Sequence, residues 1–125
     1  MSLKISDGWI YVGNEKERFL LGQPGIRNML VFGVNPSTAV PGRDDPTIRK
    51  VRMITGASGY DGWIMANLYP MITPRPDDLP QIADQELLRK NLDVLSSLQK
   101  ECRIDAVWAA WGDAIDKRDY KSKAK

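Results

Sequence analysis

The turn that begins at Asn35 carries the side chains of this sequence best suited to binding a small polar ligand. Asn35 offers a carbonyl acceptor and two amide donors, and Pro36 restricts the backbone that follows it. Ser37 and Thr38 add hydroxyl groups. A helix that starts soon after such a turn also presents free N–H groups and a positive dipole end. The turn therefore predicts a site for a phosphate, a carboxylate or a nucleobase edge.

The alternative interpretation of this turn is structural. Side chains such as those of Asn35 and Ser37 often do no more than satisfy the backbone groups of a turn. The residue types alone leave both interpretations open.

Two adjacent carboxylates follow the turn. Asp45 directly precedes Pro46 and a helical pattern, so a helix-capping role explains it. Asp44 has no capping role, and we predict that it belongs to the site as a ligand-binding or reactive group. Two aspartates without another carboxylate nearby are a poor indication of magnesium. We predict no metal and no cofactor.

Four further residues are predicted to lie near the turn. Asn67 ends an apolar segment, where an unpartnered amide is costly, so it binds either a ligand or a neighbouring loop. Arg75 lies between two prolines in a stiff loop and is placed to meet a phosphate, unless it is simply a surface arginine. Trp111 and Gly112 end a third apolar segment and are placed at the site, whereas Trp108 is assigned to packing.

The apolar pattern predicts the elements that position these residues. Residues 9–12 and 18–21 are short β-prone runs that flank a polar stretch, and they predict an N-terminal hairpin. Strands at 29–34, 63–69 and 105–112 then alternate with helices, one from 46 to Gly56 or Gly59 and one over 84–102, with a short helical start after the last strand.

This alternation is typical of right-handed βαβ units. It predicts an α/β fold with three layers, α/β/α, around a short parallel sheet. Ligands bind beyond the carboxyl ends of such strands, so Asn35, Asn67 and Gly112 should meet at one edge of the sheet. In the second helix we expect Leu88, Leu92 and Leu95 to line the buried stripe.

Length and composition indicate a single globular domain over residues 1–125. Residues 1–8 are interpreted as an N-terminal extension and residues 116–125 as a basic tail. The chain has 125 residues, a formal net charge of +2, no histidine and one cysteine, Cys102. Zinc sites of Cys and His and triads that need an imidazole are thereby excluded. An unpaired cysteine favours a reducing, cytoplasmic compartment, and we predict no membrane span.

Four sequence blocks resemble a known family. The segments "VFGVNPSTA", "DDPTIRKV", "ANLYP" with "TPRPDDL", and "VWAAWGDA" follow one another in the order typical of domain-of-unknown-function family 1643. The resemblance spans roughly residues 9–114. The family comprises uncharacterised bacterial, archaeal and phage proteins, so the resemblance implies no particular activity.

The same blocks are similar, more distantly, to the uracil-DNA glycosylase superfamily. The corresponding segments here are "GVNPS", "ANLYP", "TPRPDDL" with "QELLRKNL", and "AAWGDA". In the mismatch-type branch the asparagine of the first block positions the attacking water, and the resemblance assigns that role to Asn35. Relatives continue toward a His-Pro segment that this sequence lacks, so we expect binding rather than turnover.

Three functions are consistent with these observations. The first is binding of a nucleotide or nucleobase, or hydrolysis of a glycosidic bond, at the turn around Asn35. The second is a non-catalytic module that binds a ligand or nucleic acid. The third is an interaction subunit, for example a homodimer, that pairs through an open sheet edge.

Overall fold

A computed structural model describes residues 3–73, 75 and 78–110 of the chain. Within these residues the chain forms six strands and two helices. In chain order they are β1 (Ile5–Ser6), β2 (Trp9–Gly13), β3 (Arg18–Gln23), β4 (Asn28–Gly33), α1 (Pro46–Ala57), β5 (Gly62–Asn67), α2 (Gln85–Glu101) and β6 (Ala106–Ala109).

The strands form one mixed sheet in the order β1-β2-β3-β5-β4-β6. Strand β4 lies between β5 and β6, and all three are parallel. Strands β1, β2 and β3 are antiparallel, and β3 pairs antiparallel with β5. The α/β class, the parallel arrangement of the three apolar strands and the N-terminal hairpin are thus confirmed, but the hairpin joins the same sheet, which is therefore mixed. The hairpin adds its strands to the parallel part through β3, a long-range pairing that local sequence does not encode.

The two helices cover opposite faces of the sheet, because successive strand residues point to opposite sides. Val31 and Met65 pack with α1, and Leu30 and Ile64 pack with α2. The parallel strands are therefore apolar on both faces, which explains their nearly continuous apolar sequence.

Both helices begin where their capping residues predict. Asp45 Oδ1 accepts a hydrogen bond of 2.9 Å from the Ile48 N–H, and Pro46 occupies the first turn of α1. Asp84 caps α2 in the same way. The predicted buried stripe of α2 needs a correction: Leu92 is 36% exposed, and Asn91 is buried instead.

The ends of the chain differ in how far the structure describes them. Ile5–Ser6 pairs with β2, so the segment interpreted as an extension contributes an edge strand. At the other side β6 is the outermost strand among the described residues, and pairing through that edge stays a prediction. The predicted helical start after β6 and the basic tail lie outside the described residues.

No helix in the described part is long and apolar enough to cross a membrane.

Candidate functional site

The ends of β4 and β5 bring Asn35 and Asn67 to the same edge of the sheet. Gly33 and Asn67 are directly paired in the parallel register. The pairing continues past the strands, since the Leu68 N–H donates to Gly33 O at 2.9 Å and the Tyr69 N–H donates to Val34 O at 2.9 Å. The polar turn after β4 therefore runs beside the loop after β5, as the βαβ pattern predicts.

A cavity of about 520 Å³ opens at this edge, between the sheet and α1. Its lining includes the strand end at β4, the first turns of α1 and the aromatic ring of β6. Its lining residues include Gly33, Asn35, Thr47, Lys50, Met65 and Trp108. No aspartate or glutamate belongs to the described lining.

The sheet register determines how the floor of the cavity is built. Trp108 pairs with Val31 on one side of β4, and Asn67 pairs with Gly33 on the other side. Residues two apart on a strand share a face, so Val31, Gly33, Met65 and Asn67 all face α1, with Trp108. Trp108 and Asn67 thus lie on the two strands that flank β4, two strand spacings or roughly 10 Å apart across the sheet, with Trp108 level with Val31 and Asn67 level with Gly33.

The Asn67 side chain is buried without a hydrogen-bond partner. The residue is 1% exposed, and neither its Oδ1 nor its Nδ2 is paired. A Cβ at Gly33 would lie 2.9 Å from Oδ1 of Asn67, so the amide packs directly against the glycine that lines the cavity. An unsatisfied buried polar group of this kind costs about 1–3 kcal/mol. Among the described residues, no neighbouring strand or loop forms a hydrogen bond with this side chain.

Met65 packs beside this amide. A Cβ at Gly33 would also lie 2.8 Å from Cε of Met65, and Met65 itself is 4% exposed while lining the cavity. Methionine side chains are flexible and change rotamer at little cost. A change of the Met65 rotamer would therefore open space beside the Asn67 amide.

Asn67 is held in place from the other face of the sheet. Nδ2 of Asn91, on α2, donates a 2.8 Å hydrogen bond to the backbone oxygen of Asn67. Asn91 is 2% exposed, and its own Oδ1 is unpaired. This bond fixes the end of β5, but it uses the backbone oxygen of Asn67 and not its side-chain amide.

Asn35 connects the turn to the loop after β5. Its Nδ2 lies within hydrogen-bond distance of three backbone oxygens: Thr73 at 2.9 Å, Pro36 at 3.1 Å and Met71 at 3.3 Å. These acceptors fix the orientation of the amide, because the opposite flip would bring Oδ1 against carbonyl oxygens. No described residue donates to Oδ1. Asn35 therefore has a structural bond network and also an acceptor that remains available on a cavity-lining residue.

The other residues of the turn do not line the cavity. Pro36 is buried, Ser37 is half-buried and Thr38 is exposed. Arg75 is exposed in its loop and also lies outside the lining. Two remaining residues of the predicted site, Trp111 and Gly112, lie outside the described residues.

Asp44 is engaged in an ion pair on the surface of α1. Both its oxygens approach Arg52, with Arg52 Nη2 3.0 Å from Oδ2. The Arg52 guanidinium also lies 5.2 Å from the ring centroid of Trp63 and 5.7 Å from that of Trp9. The carboxylate is therefore already neutralised. The described residues contain no group of three carboxylate or Cys ligands that could hold a metal.

Most of the cavity lining was not predicted, and three of the missed residues carry polar or aromatic side chains: Thr47, Lys50 and Trp108. The first two lie three apart on α1, beside Val51, so they share one face of the helix that follows the polar turn. That spacing is the signal that could have identified them. Trp108 was assigned to packing, and it serves both purposes: it packs with the α1 cluster and lines the cavity.

Arg18 is a buried structural residue near the turn that the sequence did not reveal. It is 2% exposed, and Nη1 donates a 2.9 Å hydrogen bond to Ala39 O in the loop between the turn and α1. Burial lowers the pKa of the Arg18 guanidinium, and the negative charge of Asp45 opposes that shift. Its hydrogen bond attaches the loop to β3 and so helps to position the turn.

Comparison with known proteins identifies the family and nothing more specific. No curated protein and no solved structure matches the chain. A family model described as "Protein of unknown function (DUF1643)" matches residues 18–125. This match covers most of the chain and includes every residue that lines the cavity. The chain therefore belongs to the DUF1643 family.

Proposed function

We propose that this protein binds a nucleobase or nucleotide in the cavity between α1 and the carboxyl ends of β4 and β5. The observation that carries the proposal is the Asn67 side chain, which is buried with both amide atoms unpaired. Unsatisfied groups of this kind are rare in native proteins and are tolerated where function requires them.

The chemistry of an amide suits a nucleobase edge. Oδ1 accepts one hydrogen bond and Nδ2 donates another in the same plane, which matches a base that presents a donor next to an acceptor. Proteins that bind unpaired bases combine such edge contacts with aromatic stacking. Trp108 supplies an aromatic side chain in the same cavity. The volume of about 520 Å³ lies within the usual range for small-molecule sites.

Hydrolysis of a glycosidic bond is a second candidate, which the available Oδ1 of Asn35 favours. Its Nδ2 is fixed by backbone oxygens, so Oδ1 is oriented to accept a hydrogen bond from water. The block order that resembles the uracil-DNA glycosylase superfamily supports the same role. The described lining has no carboxylate to move a proton. We therefore expect binding to be readily measurable and turnover to be slow or absent.

A binding screen with a point variant tests the proposal. Free bases, nucleosides, nucleotides and uracil-containing DNA are titrated into the wild type, with calorimetry and base release as readouts. Binding should be lost in Asn67→Leu, because Leu has a similar size and no polar atoms. Asn14→Leu is the control, since Asn14 is exposed in the β2–β3 loop, and it should bind normally. Failure of every compound to bind the wild type would overturn the proposal.

A further inference from the structure

We infer that the ligand of this cavity carries a phosphate group, which Lys50 and Thr47 bind at the α1 side. The inference rests on the proposed function, because it concerns the second half of a ligand whose base lies against Asn67. The ligand is therefore a nucleoside phosphate.

The first support is the position of these two residues. Thr47 and Lys50 both line the cavity and lie on one face of α1, with Val51 between them and the sheet core. A hydroxyl and an ammonium group are thus presented together to the same space. Hydrogen bonds between an ammonium group and a phosphate are charge-assisted and stronger than neutral ones.

The second support is the charge of α1. The helix carries Arg49, Lys50 and Arg52 and no acidic residue. Arg52 is neutralised by Asp44, and Asp45 is occupied by capping the helix. Lys50 has no carboxylate partner among the described residues. A cation without a partner at an acid-free cavity favours an anionic ligand.

The third support is the arrangement of the two polar ends. A buried, unpaired amide, that of Asn67, lies directly behind the lining residue Gly33, and the helix wall carries Lys50, a cation without a carboxylate partner among the described residues. A nucleoside or free base would use only the floor, and inorganic phosphate would use only the wall. A nucleoside phosphate uses both.

The chain offers a closely matched control for Lys50. Arg49 is the adjacent residue on the same helix, carries the same charge and is exposed, but it lies outside the cavity lining. Its Nη1 is 3.4 Å from the backbone oxygen of Asp44, on the side of the Arg52 ion pair. Lys50→Gln and Arg49→Gln therefore change the net charge equally, but only Lys50→Gln alters the cavity lining.

The experiment measures the affinities of a nucleoside, its 5′-monophosphate, a short single-stranded oligonucleotide and inorganic phosphate by calorimetry at fixed salt. In the wild type the monophosphate should bind about tenfold or more tightly than the nucleoside. Lys50→Gln should remove that gain, so that the monophosphate binds no more tightly than the nucleoside. Arg49→Gln should retain the gain. Tighter binding of the oligonucleotide than of the monophosphate would support the phosphate site with nucleic acid as its source.

The failures of the two proposals are distinguishable. Equal affinity for nucleoside and monophosphate in the wild type would overturn the phosphate inference and leave nucleobase binding intact. An equal loss of monophosphate affinity in Lys50→Gln and Arg49→Gln would also overturn it. The loss would then follow from the change in net charge and not from a contact in the cavity. Binding of phosphate and nucleotide with equal affinity, dependent on Lys50, would support the phosphate site and contradict base recognition by Asn67.

Discussion

Gly33 and Asn67 are paired in register on neighbouring parallel strands, and the missing side chain of Gly33 provides the space that the Asn67 amide occupies. A Cβ at Gly33 would lie 2.9 Å from Oδ1 of Asn67, closer than side chains normally approach. The glycine also forms part of the cavity surface. The pair therefore links the architecture of the sheet edge to the polar group on which the proposed function depends.

Gly33→Ala should weaken ligand binding without unfolding the protein. The new methyl group would displace the flexible end of Met65 and the amide of Asn67, so we expect roughly a tenfold loss of affinity and a stability cost of about 1–3 kcal/mol. Calorimetry and chemical denaturation provide the two readouts. Gly56→Ala is the control, since nothing lies within 4 Å of a Cβ there. That helical substitution should stabilise by about 0.5–1 kcal/mol and leave binding unchanged. If Gly33→Ala bound the ligand with unaltered affinity, Gly33 would have no role in ligand binding.

Asn35→Ala should lower stability, because three backbone oxygens of the turn and the following loop would lose their donor. We expect a cost of about 1–3 kcal/mol in a thermal or denaturant melt. Asn35→Asp should be at least as damaging, since it places a carboxylate against the same carbonyl oxygens. A normal melt for both variants would show that the bond network is unimportant and would leave only a ligand-binding role.

Asp45 and Asp44 should rank differently in stability measurements. Asp45→Ala removes the cap of α1 and should cost about 0.5–2 kcal/mol. Asp44→Ala breaks a partly exposed ion pair with Arg52 and should cost about 0–1 kcal/mol. Thermal melts of the two variants under identical conditions test this ranking. The reverse order would mean that the ion pair, rather than the cap, is the main anchor of α1.

Asp61 should make part of the stability dependent on acid pH. Hydrogen bonds from the backbone N–H groups of Arg27 and Ile26 hold the pKa of its carboxyl below the ordinary value of 3.8. The folded state thus binds this proton less readily than the unfolded chain does. The stabilisation is complete above the unfolded pKa and is lost as the pH falls through the folded pKa. Denaturation from about pH 5 to about pH 2 should therefore show a shallower decline in Asp61→Asn than in the wild type. Parallel declines would contradict this assignment.

The elements that the sequence predicted correctly are those with local signals. The cap at Asp45, the proline after it and the β-prone runs of the hairpin act over a few residues. The antiparallel pairing of β3 with β5 was not predicted, because its partners are 40 to 44 residues apart and depend on tertiary packing. The exposure of Leu92 has a similar cause. Leu92 fits a helical period, but the sheet surface selects the stripe that includes Asn91.

The position of the candidate site was predicted from the sequence, but most of its residues and contacts were not. The polar ends of β4 and β5 place Asn35 and Asn67 at one edge, which follows from parallel topology. Pairing of Asp44 with Arg52 was not predictable, because the two residues meet only after α1 forms. Lys50 was overlooked although its spacing from Thr47, beside the buried Val51, places it on the face of α1 that borders the cavity.

The most direct test of the account compares Asn67→Leu with Asn28→Leu. Both asparagines are 1% exposed, and they occupy opposite ends of the paired strands. The Asn28 amide has three hydrogen bonds, to Gly25 N, Gly25 O and Arg103 O, whereas the Asn67 amide has none. Removal of an unpaired buried amide should stabilise the protein by about 1–3 kcal/mol, and removal of the paired one should destabilise it by at least as much.

The measurement is the free energy of unfolding of both variants, with nucleobase and nucleotide titrations of the wild type and Asn67→Leu. We expect Asn67→Leu to be more stable than the wild type and to lose binding of the ligand that the wild type binds. Destabilisation of Asn67→Leu to the extent seen in Asn28→Leu, with ligand binding unchanged, would contradict it.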